Sequence, residues 1–107
     1  MPVTSDSRYA ALRMPTNDMR PRIRIGEAVI YDTESQAEPG DDVVILLADG
    51  GSVVRELLGI TADSYRLKSY SPAAVGALPA ARVKAIYPVV LRGHPDFVQE
   101  IEHANAA

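Results

Sequence analysis

A mostly-β domain, barrel-like or a folded-over sheet with a short C-terminal helix, is the fold this sequence predicts, on three observations. Short segments either alternate apolar and polar side chains or run continuously apolar and β-branched, as strands do. Turn signals built from Pro, Gly, Asp and Ser recur at intervals of about ten residues. Helical spacing is confined to one stretch near the end, after Pro95.

Taken in order, residues 1–7 are polar and read as a flexible N-terminus. Residues 8–14 read as a first strand. Pro15 and Pro21 remove backbone donors and fix φ, so residues 16–25 form a turn, with a single helical turn at most over 18–22 and Asp18 placed to cap it. Residues 27–33 are a second strand and 34–41 a loop closed by Pro39-Gly40. Residues 42–48 carry Val43-Val44-Ile45-Leu46-Leu47, a run suited to a strand covered on both faces. Asp49-Gly50-Gly51 is a hairpin turn, its glycines suited to positive φ, and 52–60 the return strand.

After a turn at 61–64, residues 65–70 alternate, with Tyr65, Leu67 and Ser69 on one face and Arg66, Lys68 and Tyr70 on the other. Residues 71–79, rich in small side chains and interrupted by Pro72, Gly76 and Pro79, read as a loop lying against the body. Residues 82–92 are a last long strand, with Val83, Ile86, Val89 and Val90 as core candidates. Residues 96–103 then read as a helix with Phe97, Val98 and Ile101 on one face. The β domain is thus expected over 8–93 and a helix and tail over 94–107.

A chain of 107 residues is one domain, able to bury roughly two-thirds of its unfolded surface. No apolar run approaches the ~20 residues of a membrane span, and the first residues lack the basic start and apolar block of a secretory signal. The absence of cysteine excludes disulfides, thiolate metal sites and a cysteine nucleophile, which is compatible with the cytoplasm. A net charge of −3 argues against nucleic-acid binding by this segment itself. One basic cluster stands out: on an extended chain Arg20, Arg22 and Arg24 share a face, either as a solvated strand edge or as a phosphate or partner contact.

The stretch Thr16-Asn17-Asp18-Met19-Arg20-Pro21-Arg22-Ile23-Arg24-Ile25-Gly26-Glu27 resembles a motif of the LexA and phage-repressor-type self-cleaving serine peptidases, Gly-Asp-Ser-Met-x-Pro-x-[Ile/Leu]-x-x-Gly-Asp. Met19, Pro21, Ile23 and Gly26 match, and Glu27 is a conservative replacement. Later landmarks of that family occur in order: Pro39-Gly40-Asp41 before an apolar strand, Val53-Val54-Arg55-Glu56-Leu57 in the hairpin, Leu67-Lys68-Ser69-Tyr70-Ser71-Pro72 with Ser71 in place of asparagine, and a closing strand from Val83 to Val89. The resemblance spans residues 9–90 and implies a complex β fold.

It also implies a Ser–Lys dyad, in which a neutral lysine takes the proton of a nucleophilic serine. The serine falls on Asp18 and the lysine on Arg55. A carboxylate is a far poorer acyl nucleophile than an alkoxide, and arginine keeps its proton. Two readings follow: Asp18 and Arg55 face each other as an ion pair, or Asp18 caps the turn while Arg55 is an ordinary strand charge. Lys68 or Lys84 beside Ser69 or Ser71 is a weaker alternative dyad. His94 and His103 lack metal-ligand spacing, Asp41, Asp42 and Asp49 fit turn chemistry, and no phosphate-loop motif is present, so neither metal nor cofactor is expected.

Three functions compete. The first, implied by the resemblance, is a catalytically inactive oligomerisation module of a transcriptional regulator: a homodimer paired through Val89, Leu91, Phe97, Val98 and Ile101, meeting DNA only through a separate domain. The second is a working peptidase of the Ser–Lys type. The third is a small β-barrel that binds a peptide or ligand in a cleft lined by Asp18, Met19, Pro21 and Arg55.

Overall fold

The computed structural model describes residues 8–96. Residues 1–7 and 97–107 lie outside them, and with the latter most of the expected C-terminal helix, including Phe97, Val98 and Ile101. Seven strands are present: β1 (Tyr9–Arg13), β2 (Ala28–Asp32), β3 (Asp42–Leu47), β4 (Ser52–Ile60), β5 (Ser64–Tyr70), β6 (Ala73–Pro79) and β7 (Val83–Gly93). A short 3-10 turn, Ala80–Arg82, links β6 to β7. The strands form one antiparallel sheet in the order β1-β2-β7-β3-β4-β5-β6, which does not close, so β1 and β6 are its edges.

The long strand β7 holds the sheet together. Its first half pairs with β3, from Leu47↔Val83 to Val43↔Pro88, and its second half with β2, from Tyr31↔Val89 to Ala28↔Gly93. Pro88 falls at the changeover, where a missing backbone donor interrupts the pairing least. Side-chain alternation along the strands then supplies two main cores and a small third cluster, Ala28 and Ile30 covered by Tyr9 and Ala11. Met14, Met19, Ile23, Val29, Tyr31, Val44 and Val54 pack on one face, with Tyr31 and Tyr87 stacked at 5.8 Å. Ala37, Val43, Ile45, Leu57 and Leu67 pack on the other. The run Val43-Val44-Ile45 is buried throughout because both faces are covered, one by residues of the 14–25 segment and the other partly by Ala37 of the 34–41 loop.

Three expectations change. The segment 71–79 is not a loop: residues 73–79 form β6, paired residue for residue with β5 from Ser64↔Pro79 to Tyr70↔Ala73. Proline stands at its end and glycine within it, both tolerated because β6 is an edge. Of the two hairpin glycines only Gly50, at φ +98°, has a positive φ. Val90, expected in the core, is 51% exposed. Between Ile30↔Leu91 and Tyr31↔Val89 strand β2 advances by one residue and β7 by two, leaving Val90 as a bulge. The bulge breaks the alternation, so Val89 turns to the core while Val90 and Leu91 both face outward.

Asp32 is the buried charged residue of the described chain, 3% exposed at the end of β2. It is fully satisfied: Arg8 Nε and Nη2 donate to its two oxygens at 3.0 and 2.9 Å, Ser35 Oγ at 2.7 Å and the Glu34 N–H at 2.9 Å. The Arg8 guanidinium, first, and Ser35 hold its carboxyl well below the usual range. A depressed native pKa stabilises the fold above the unfolded value of 3.8 and is lost as pH falls below it. Urea melts between pH 6 and pH 2.5 are therefore expected to lose stability more steeply in the wild type than in Asp32→Asn; parallel profiles would contradict this role.

Candidate functional site

The segment between β1 and β2 positions the site. The β1–β2 pairing continues past Arg13, with the Met14 N–H donating to Glu27 O and the Gly26 N–H to Met14 O, both at 2.8 Å. This closes residues 14–27 into a loop that needs the left-handed conformation of Gly26, φ +87°. Within it the Arg20 N–H reaches Asn17 O and the Ile23 N–H reaches Met19 O, each at 3.1 Å, one helical turn and no more. Met19 and Ile23 are fully buried against the sheet and anchor the turn. The end of β5 fixes its rim: Tyr70 and Ser71 donate their N–H groups to Asp18 O at 2.8 and 3.0 Å.

Asp18 is thereby carried to Arg55, in the middle of β4. Arg55 Nη1 lies 3.0 Å from Asp18 Oδ2, each side chain about a quarter exposed. The same Nη1 donates to Val54 O at 2.7 Å, and Thr16 Oγ1 donates to Asp18 Oδ1 at 2.5 Å. The carboxylate is thus turned to Arg55 and Thr16 and not to the N–H groups of its own turn, which corrects the expectation of a cap. The contact is a single charge-assisted one, through one nitrogen and one oxygen.

The arginine stripe is not formed, since residues 18–22 are a turn and not extended chain. Arg22 instead reaches inward. Its Nη2 and Nε meet Asp42 at 2.8 and 3.3 Å, its Nη1 donates to Tyr70 Oη at 3.0 Å, and its guanidinium lies 5.0 Å from the Tyr70 ring centre. The Tyr70 hydroxyl in turn donates a hydrogen bond to Glu56 Oε1, and Lys68 Nζ stands 4.8 Å from the same ring. The Glu56 hydrogen bond, with burial, raises the Tyr70 hydroxyl pKa; the Asp42 hydrogen bond raises that of Arg22. This network joins turn, β3, β4 and β5 on the face opposite Arg55. Sequence reasoning missed it, because nothing in the order of residues pairs Arg22 with Asp42 or Tyr70.

Other sequence candidates separate. Lys68 and Ser69 are adjacent on a strand and face opposite ways, with Ser69 Oγ donating to Pro72 O at 3.2 Å. Asp41 and Asp49 accept the N–H groups of Glu38 and Gly51 within their turns, each at 2.9 Å. His94 faces Asp96 at 3.5 Å, and among the described residues no three His, Asp or Glu side chains gather as a metal site. The cleft expected from Asp18, Met19, Pro21 and Arg55 does not form as such, since Met19 is packed away in the core and Pro21 stands exposed on the turn. A groove of about 330 Å³ opens beside Arg55 instead, between the β3–β4 face and β6. No helix among the described residues is long and apolar enough to cross a membrane.

Comparison with known proteins adds one finding. A family model described as Peptidase S24-like matches residues 2–86, a span that includes both Asp18 and Arg55. No curated protein and no solved structure matches.

The strength of the Asp18–Arg55 contact is measurable. Its partial burial places it between surface pairs and fully buried ones, so Arg55→Met and Asp18→Asn are each expected to cost about 1–2 kcal/mol. A double-mutant cycle in urea should show coupling of about 1 kcal/mol. Additive effects would show that the two groups do not stabilise each other.

Proposed function

Because the chain belongs to the Peptidase S24-like family, we propose that it is a member that does not cut peptide bonds and serves as the oligomerisation module of a transcriptional regulator. One observation carries the first half of this reading: at the two positions that the resemblance assigns to nucleophile and base stand a carboxylate and a guanidinium, 3.0 Å apart. Peptide cleavage by this family's route needs a hydroxyl to attack and a neutral amine to take its proton. Aspartate supplies no such hydroxyl, and arginine does not give up its charge.

The second half rests on the resemblance and on the end of β7. There the bulge at Val90 turns two consecutive apolar side chains outward, Val90 at 51% and Leu91 at 53% exposed, while Val89 is already packed against the core. Leu91 with Phe97, Val98 and Ile101 is the proposed pairing surface, and Val90 joins it. Pairing two chains would place two tethered DNA-reading domains, supplied from outside residues 8–96, on adjacent half-sites and raise the effective concentration of the second.

Prolonged incubation at pH 10 should leave the intact mass of the wild type unchanged, alone or with added peptide, whereas Asp18→Ser combined with Arg55→Lys should yield new fragments. Cleavage by the wild type overturns the non-cleaving reading. Sedimentation at micromolar concentration should give a dimer that Leu91→Glu dissociates; a strict monomer overturns the pairing.

A further inference from the structure

Three strands meet the 14–27 loop at one end of the sheet. Arg13 of β1 pairs with Ala28 of β2, and Ala28 with Gly93 of β7. The three stand in one row, so Gly93, where the chain leaves the sheet, lies about 10 Å from Arg13 at two strand spacings. The turn that closes the loop stands beside the same row. There the Glu27 N–H donates to Arg24 O at 3.1 Å and the Gly26 N–H to Met14 O at 2.8 Å.

This end of the molecule carries exposed arginines. Arg13, Arg20 and Arg24 make no ion pair and no side-chain hydrogen bond among the described residues. The carboxylates of the loop are engaged elsewhere: Asp18 with Arg55 and Thr16, and Glu27 with the Arg24 N–H at 2.6 Å. The other side of the β7 end differs. Gly40, Asp41 and Asp42 border Val89 to Arg92 there. Asp42 is matched by Arg22, whereas neither Asp41 nor Arg92 has an ion-pair partner among the described residues.

The sequence after Gly93 has the opposite sign to the loop. Residues 94–107 hold Asp96, Glu100 and Glu102 and neither lysine nor arginine. Their reach is sufficient, since the seven residues from 94 to 100 advance about 10 Å as a helix and further as extended chain.

We propose that the acidic tail of this chain, residues 97–107, docks on the 14–27 loop of the same molecule, with Glu100 and Glu102 held by Arg13, Arg20 and Arg24. Each exposed charge pair is weak by itself. A tether of a few residues gives the tail a high effective concentration at the loop, so weak pairs act together. The proposal goes beyond the pairing reading: pairing uses Leu91 and the apolar side chains of the tail, and docking uses its carboxylates.

The absence of cysteine permits a direct test. A nitroxide attached at Asn105→Cys should broaden the amide NMR signals of Arg24, Ile25 and Gly26, relative to the reduced label, and affect Gly40, on the other side of β7, much less. Glu100→Gln combined with Glu102→Gln should abolish the difference between the two sides, and high salt should do the same. These two substitutions touch nothing among residues 8–96, so the result does not depend on how the loop tolerates change. Arg13→Gln, Arg20→Gln and Arg24→Gln together should match them. Equal broadening on both sides, no broadening, or a difference that survives the loss of the carboxylates would each overturn the proposal. Broadening of an isotope-labelled chain without nitroxide, mixed with nitroxide-bearing chain, would assign the loop to the tail of a second copy and overturn it as well. So would loop amides that stay sharp and shift on addition of a short DNA duplex, which would assign the arginines to phosphate. Docking within one chain does not vary with concentration, whereas pairing does, so a failure of pairing leaves this result standing.

Discussion

The docking of one helical turn onto the sheet is the constraint on which the site depends. Met19 and Ile23 are withdrawn completely from solvent, and the Asp18 carbonyl takes two N–H groups from the end of β5. Apolar burial and main-chain hydrogen bonds together leave the Asp18 side chain one direction to point, toward β4. On the opposite face Arg22 ties the same turn to Asp42 and Tyr70. The turn is thus held from both sides of the sheet, and the Asp18–Arg55 contact follows from that anchoring more than from its own strength.

On the proposed reading, such a scaffold would let reactive positions be exchanged without loss of architecture. The anchors Met14, Met19 and Ile23 are apolar and belong to the buried core, whereas the Asp18 and Arg55 side chains are each about a quarter exposed. Replacing a nucleophile and a base by groups of opposite charge puts an attraction where a proton transfer would otherwise occur. A fold does not by itself imply an activity: the family is shared, and the proposed reading turns on Asp18 and Arg55 standing where the resemblance places nucleophile and base.

Much of the sheet was legible in the sequence, and the exceptions have physical reasons. Alternation and apolar runs mark β1 to β5 and β7 because each of these strands packs apolar side chains against a buried cluster. Strand β6 reads as a loop in the sequence because Pro72, Gly76 and Pro79 are turn residues locally, whereas its pairing with β5 is a property of two segments. The exposure of Val90 was hidden for a similar reason: a bulge exists only between partners, and Val89-Val90-Leu91 reads as uniform core in one dimension. The arginine stripe assumed an extended chain, and the chain turns. Resemblance singles out positions 18 and 55 and leaves two readings, an ion pair or a cap; the fold brings the two side chains within 3.0 Å. Asp32 with Arg8, and Arg22 with Asp42 and Tyr70, gave no sequence signal, since long-range polar partners leave no periodicity.

The central claim is that Asp18 and Arg55 hold each other where a reactive pair would stand. Nitrogen-detected NMR of the Arg55 guanidinium tests it most directly. Distinct, slowly exchanging Nη1 and Nη2 signals are expected in the wild type and should merge in Asp18→Asn. Signals already merged in the wild type, or unchanged by the substitution, would contradict it.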